Sequence, residues 1–200
     1  MRIGFDLDDV LASCMPALIM FHNERYATAM THDAIKTYNL ELLWNCSFLE
    51  ARERVDAFYD SDHFKNMLPV DGAVEGISQL KERHELYIIT ARQLHVQSQT
   101  ESWVEQHFPG MFSGVFLANH YSTYGESRKK SDFCKEHKLD YLVDDNIQHI
   151  NDCVEEGIST LLFDKPWNQD GVPNSVPRVK TWRAITVHFY NAANHNITKS

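Results

Sequence analysis

The 200-residue sequence predicts an α/β fold: a doubly wound parallel sheet with a small helical cap inserted after the first strand. Three observations lead there. Five short apolar runs lack polar alternation, which suits strands buried on both faces. Helical patterns separate the later runs, and strand–helix alternation of this kind builds a parallel sheet. One stretch, from residue 13 to about 70, breaks the alternation and carries helical pattern without a convincing strand.

In chain order, residues 3–5 form a brief strand that runs directly into acids. Residues 15–29 and 44–59 read as helices of the insertion, with Thr31 and Asp33 as helix-start residues and Pro69 near the exit. The expected division is therefore a cap at 13–70 and a core made of 1–12 and 71–200. The alternative is that these helices simply cover one sheet face. A helix over 73–84 leads to a strand at 85–89, which ends at Thr90-Ala91-Arg92. A helix at 94–108, a strand at 115–117, a helix at 130–138 and a strand at 141–143 follow, the last ending at Asp144-Asp145. The next helix, 147–156, stops at Gly157, a good C-terminal punctuator, and the fifth strand, 160–163, ends at Asp164. The segment KPWNQDGVPNSVPRVK is rich in Pro, Asn and Gly and reads as a long loop before a final helix at 182–191. In such sheets ligands bind outside the carboxyl ends of the strands. The polar clusters fall there.

Composition narrows the partners. With 28 acidic against 19 basic side chains and a net charge of -9, the chain lacks the basic excess of a protein that coats a nucleic-acid polymer. A small anionic substrate stays open, because a metal and a few basic groups can make one pocket locally positive. No apolar run approaches the ~20 residues of a membrane span, and acids occupy the place of a signal peptide's apolar stretch. A soluble, cytoplasmic protein without a membrane partner is expected. Cys14, Cys46, Cys134 and Cys153 form no CxxC pair, so buried thiols are expected rather than a disulfide framework or a zinc knuckle. The eleven histidines show no HxH or HExxH spacing that would support a histidine-based metal site. Oligomeric state is not readable from the sequence; a homodimer is one option.

The chemistry starts at Asp6 and Asp8, one residue apart just past a buried strand. Two carboxylates about 4 Å apart repel by ~4 kcal/mol at an effective dielectric near 20. Such a pair needs a cation, a shared proton or a nearby base. Magnesium is the natural cation, a hard ion that takes oxygen ligands and often substrate phosphate as well. Asp144 and Asp145 end another strand at the same sheet edge and could complete the site. A lone DxD can equally be a helix cap or a turn, but four acids at two strand ends weigh against that. Thr90 and the backbone N–H groups after it can hydrogen-bond a phosphoryl oxygen, and Arg128-Lys129-Lys130 offers point charges for the same group. Taken singly, a threonine after a strand is usually a cap and a lysine pair is usually solvated surface.

In this order, FDLDDVLA, IITAR, RKKS and LVDDN resemble the four signatures of the haloacid dehalogenase (HAD) superfamily of phosphohydrolases. Within it, the chain looks like the 5'(3')-deoxyribonucleotidase-like branch and its uncharacterised nucleotidase relatives. The resemblance covers residues 1 to about 168, including the place of the inserted cap. It implies a Rossmann-like core and a Mg²⁺-dependent phosphomonoester hydrolase working through an aspartyl-phosphate. On the matching positions, Asp6 is the nucleophile. Asp8 protonates the leaving oxygen, later deprotonates water, and lends its backbone carbonyl to Mg²⁺. Thr90 and Lys130 hold and neutralise the phosphoryl group, with Lys129 as the alternative lysine. Asp9, Ala91 and Arg92 join them as phosphate- or substrate-binding candidates, and Asp6, Asp8, Asp144 and Asp145 form the metal set.

Three departures stand out. Asp9 occupies a position where many members carry Gly, a substitution that Asp tolerates better than most residues in unusual backbone conformations. Ala91-Arg92 replaces the Ser-Pro of the characterised deoxyribonucleotidases, and Arg92 either contacts substrate or pairs with a site acid, the pairing being favoured. Tyr38, Trp44, Phe48, Phe58 and Tyr59 offer a stacking surface for a base or, more commonly for aromatics at helical spacing, cap core. The FDKPWN segment is also shared with these relatives and has no role assigned. The expected substrate is a small phosphomonoester, with a nucleoside monophosphate favoured on family grounds. Competing readings are a phosphatase of a sugar phosphate or other metabolite, a phospho-accepting receiver, and a catalytically silent relative retained for binding.

Overall fold

Six strands form one fully parallel sheet in the computed structural model, which describes residues 1–122 and 124–197. They are β1 (Arg2–Phe5), β2 (Glu85–Thr90), β3 (Gly114–Leu117), β4 (Tyr141–Asp144), β5 (Ser159–Phe163) and β6 (Arg178–Val179), in spatial order β3-β2-β1-β4-β5-β6. The chain winds outward in both directions from β1, so the order reverses between β1 and β4. That reversal opens the crevice in which doubly wound sheets hold ligands.

Strands buried on both faces need helices on both. Ile3, Phe5, Leu86 and Ile88 point into the larger core with Ile77 and Leu80 of α5 (Ala73–Lys81), Trp103 and Val104 of α6 (Gln97–His107), and Trp182, Ile185 and Phe189 of α9 (Trp182–Ile197). Tyr87, Ile89 and Leu142 face the other way. There they meet Phe133 and Cys134 of α7 (Lys130–Glu136) and Cys153 of α8 (Ile147–Glu155). Gly4 lets that second face pack closely: a Cβ there would sit 2.8 Å from Leu139 Cδ1, and the leucine would have to shift.

Between residues 13 and 68 the chain carries four α-helices: α1 (Cys14–Tyr26), α2 (Leu40–Trp44), α3 (Phe48–Tyr59) and α4 (Asp62–Lys65). It leaves beside Ala12 and returns beside Pro69, with Ser13 N donating to Leu68 O (2.9 Å) and Val70 N to Leu11 O (2.8 Å). Helix α3 starts on a capping box in which Ser47 and Glu50 satisfy each other's backbone N–H groups.

Several boundaries differ from expectation, each for a local reason. The helix expected over 15–29 ends at Tyr26, where Ala27 turns left-handed (φ 51°). The one over 44–59 divides at Asn45, also left-handed (φ 47°). Thr31 and Asp33 introduce only one 3₁₀ turn, and Thr31 makes no side-chain cap bond. Residues 94–96 are likewise 3₁₀ rather than the start of α6. The segment expected as one long loop ends in β6, pairing Leu162 with Arg178 and Phe163 with Val179. The final helix runs on to Ile197, and residues 198–200 of the expected core lie outside the described residues. All four cysteines are free; Cys134 and Cys153 are buried as expected, whereas Cys14 and Cys46 are only partly buried.

Candidate active site

The turn after β1 sets the geometry. Leu7 O accepts from both Leu11 N (2.9 Å) and Ala12 N (2.8 Å), and Leu7, Val10, Leu11 and Ala12 are fully buried. This closes the chain into one tight turn, with Asp9 in the left-handed region at φ 60°. Asp6 is fixed at its mouth: its N–H donates to Val143 O (2.8 Å), and its Oδ1 accepts from Leu7 N (2.7 Å).

Asp6, Lys130, Asp144 and Asp145 come together at the carboxyl ends of β1 and β4. Lys130, the first residue of α7 and fully buried, places its Nζ 2.7 Å from Asp6 Oδ1 and 2.7 Å from Asp144 Oδ2. The other oxygen of Asp144 accepts from Asn146 N (2.8 Å), and His149 Nδ1 lies 3.4 Å from Oδ2. Asp145 Oδ2 accepts from the indole N–H of Trp167 (2.7 Å). Carboxylate oxygens of Asp6, Asp144 and Asp145 lie within 4.8 Å of one another.

Of the three buried carboxylates, Asp6 and Asp144 share one buried lysine and Asp145 has none among the described residues, and the charge imbalance appears in their proton affinities. Burial raises Asp6 to about 8, against the opposing pull of Lys130. Burial also raises Asp145 well above the carboxylate range, and the charges of Asp6 and Asp144 push the same way. Burial works against Asp144 too, but Lys130 and His149 outweigh it and hold that group below the usual range. An all-oxygen cluster with two uncompensated charges is the donor set that a hard divalent cation fits. Among the described residues no hydrogen bond reaches Asp6 Oδ2 or Asp145 Oδ1, so these are the oxygens open to such an ion.

The remaining candidates divide. Thr90 ends β2, is fully buried, and accepts from Arg92 N through Oγ1 (3.2 Å) while its hydroxyl hydrogen stays available. Asp8 is outside the acid cluster. Its carboxylate is gripped by Arg92 through two bonds, Nε–Oδ2 at 3.0 Å and Nη2–Oδ1 at 2.6 Å. Arg92 also donates to Thr100 Oγ1 (3.1 Å) and lies over the Phe64 ring (4.7 Å), so the favoured pairing is what the structure holds.

Asp9, another phosphate-binding candidate, is engaged within the turn and with the insertion. Its N–H goes to Ala12 O (2.7 Å), and its carboxylate caps α1 at Met15 N (2.9 and 3.1 Å) and accepts from Tyr38 OH (3.3 Å). Arg128 and Lys129 are not drawn in: Arg128 pairs with Glu136 (2.6 Å) and Lys129 with Asp152 (3.0 Å).

Of the aromatics, Tyr38 sits over the site beside Asp9 and in edge contact with Trp167 (5.5 Å). Trp44 and Phe58 are buried in the core, Trp44 stacked on His22 (4.8 Å) and Phe58 against Phe64 (5.4 Å). Tyr59 packs on Phe64 (4.9 Å), and Phe48 is exposed. Trp167 and Asn168 are the site residues that sequence reasoning missed. The signal was the FDKPWN segment, but a contact reaching 22 residues back to Asp145 has no local pattern.

A family model described as "5' nucleotidase, deoxy (Pyrimidine), cytosolic type C protein" matches residues 1–193. A Bacillus cereus relative named "Putative nucleotidase" is 26% identical over 191 residues, covering 92% of this chain and 96% of the relative. The 5'(3')-deoxyribonucleotidase of Bacillus subtilis is 23% identical over 186 residues, covering 92% and 95%. Among solved structures, a haloacid dehalogenase-like family hydrolase from Streptococcus pneumoniae superposes with a TM-score of 0.71 at 17% identity, covering 94% of this chain and 97% of that one. A HAD hydrolase from Bacillus subtilis solved bound to magnesium gives 0.63 at 17% identity, covering 92% and 96%. These two likenesses establish the fold.

Proposed function

From the premise that this chain belongs to the deoxypyrimidine 5' nucleotidase, cytosolic type C, family and is a HAD-type phosphomonoester hydrolase, we propose that it hydrolyses nucleoside monophosphates with Mg²⁺ through an aspartyl-phosphate on Asp6. The observation that carries this reading is Asp6 itself. It is buried at the sheet's switch point, with one oxygen held by Leu7 N and Lys130 and the other unpartnered among the described residues.

One carboxylate oxygen of Asp6 attacks phosphorus, the bond from phosphorus to the ester oxygen breaks, and that oxygen leaves with a proton from Asp8. Asp8 then takes a proton from the water that cleaves the acyl phosphate, regenerating Asp6. Arg92 sets the orientation of Asp8 by its two-point grip. Thr90 donates its hydroxyl to a phosphoryl oxygen, and the Ala91 segment borders the same group. Lys130 neutralises charge on the phosphoryl and on Asp6, while Lys129 is engaged with Asp152. Asp6, Asp145 and the Asp8 backbone carbonyl would hold the cation, with Asp144 acting through Lys130. When bound, Mg²⁺ supplies charge neutralisation for the carboxylates and for the substrate phosphate. Residues 13–70 serve as the cap and 1–12 with 71–200 as the core, in a cytoplasmic enzyme acting on a small phosphorylated substrate.

Turnover screening across nucleoside monophosphates, sugar phosphates and other small phosphomonoesters tests this reading. Nucleotides should be hydrolysed, EDTA should stop the reaction and Mg²⁺ should restore it. Turnover confined to other phosphates would remove the nucleotide assignment, and indifference to EDTA would remove the metal.

A further inference from the structure

We infer that Trp167, which lies outside all four motifs, is a positioning residue for Asp145: it holds one carboxylate oxygen so that the other faces the divalent cation. The inference rests on the magnesium reading given above. Among the described residues the indole N–H is the one hydrogen-bond donor to the Asp145 side chain, at 2.7 Å. Asp144 is different, since Lys130 and Asn146 N occupy both of its oxygens. Without the indole, the Asp145 carboxylate could rotate about its last torsion and present either oxygen, or neither, to the ion.

The loop that carries Trp167 is built to hold it. Asn168 is buried and uses both ends of its amide: Nδ2 donates to Asp145 O and to Phe163 O, both at 2.8 Å. Its Oδ1 accepts from Lys165 N (3.0 Å) and from Arg178 Nη1 (2.8 Å). Arg178 belongs to β6 and also reaches Asn168 O (2.7 Å) and Asp164 Oδ1 (2.6 Å). The loop after β5 is thereby tied to the end of β4, and Trp167 is brought over Asp145. On its open side the indole meets His32 and Tyr38 of the insertion, each edge-on at 5.5 Å and 69°. The ring is held from the core and from the insertion alike. Partners of metal ligands typically contribute 10–100-fold in metal affinity, because they fix the ligand's orientation.

Calorimetric titration of metal-free protein with MgCl₂ tests this, comparing wild type with Trp167→Phe, which keeps a ring and loses the N–H. Wild type should bind Mg²⁺, and the folded variant should bind it about 10-fold more weakly or worse. A second measurement needs no variant: in wild type labelled with ¹⁵N-tryptophan, the Trp167 indole resonance should shift along the same binding curve. Equal affinity in the two proteins, or an indole resonance that stays still through Mg²⁺ saturation, would overturn the inference while the magnesium reading stands. A wild type that binds no Mg²⁺ would overturn that reading, and this inference with it.

Discussion

Lys130 is the residue on which the site's electrostatics turn. It is buried between Asp6 and Asp144, both at 2.7 Å, and those two charges hold its ammonium above its ordinary range despite the opposing effect of burial. Removing one partner of a buried ion pair typically costs about 3–5 kcal/mol, because the remaining charges lose their compensation. Lys130→Met should therefore lower unfolding stability in urea by roughly that amount, whereas the same change at Lys129 should cost under about 1 kcal/mol, as expected of an exposed pair. The RKKS run already placed Lys130 at the start of a helix, and α7 begins on that residue. Asp6, Thr90, Asp144 and Asp145 were legible for a related reason: each ends a buried strand, and the strand positions followed from apolar runs. Asp9 was legible as a residue tolerant of φ 60°. Its capping bond to Met15 N was not, because that bond depends on how the turn after β1 aims its carboxylate. Arg92 offered two readings in the sequence, and only the position of Asp8 relative to β2 decides between them.

At the scale of elements, close helix packing and one cap network carry the checkable consequences. Helices α5 and α9 approach so closely that a Cβ on Gly76 would meet Trp182 Cε3 at 2.5 Å. Gly76→Ala should destabilise the protein by about 1–3 kcal/mol through overpacking, despite alanine's better helix propensity; thermal unfolding measures it. In the insertion, Arg54 Nη1 donates to His22 Nε2 (3.1 Å), so the ring proton sits on Nδ1 and is given to Thr28 Oγ1 (2.9 Å). Thr28 passes the chain on to Asn23 Oδ1 (2.7 Å), closing the loop after α1. Burial, with the Arg54 charge acting in the same direction, lowers His22 to about 4. Between that value and the ordinary ~6.5 of histidine, the unfolded chain binds the extra proton and the folded one does not. Stability should thus fall as pH drops from about 6.5 towards 4. Melting temperatures across this range should lose that component of their slope in His22→Gln. Helices and strands of the core were legible because short apolar runs without polar alternation are separated by helical patterns. The two-residue β6 and the breaks at Ala27 and Asn45 were not, since a strand that short has no period and neither break carries a glycine or proline.

At the scale of the molecule, one topological fact gathers the site. The strand order reverses between β1 and β4, and the two strands that end in acids are neighbours there. The insertion leaves and returns beside Ala12 and Pro69, so it can sit over those strand ends without disturbing the sheet. The α/β class and the parallel sheet were readable in advance from strand–helix alternation, whereas the pairing of β1 with β4 is seen only in the structure. The junction of the insertion with the loop after β5, through Tyr38, His32 and Trp167, was not readable either, because it joins segments more than a hundred residues apart. The central claim is that Asp6 takes the phosphoryl group. Acid-quenched single turnovers with a hydrolysed nucleoside monophosphate and Mg²⁺, followed by peptide mass mapping, test it most directly. The account predicts one phosphoryl group on the peptide that contains Asp6, and its loss, together with activity, in a folded Asp6→Asn variant. Turnover with no adduct, an adduct on another residue, or near wild-type activity in Asp6→Asn would contradict it.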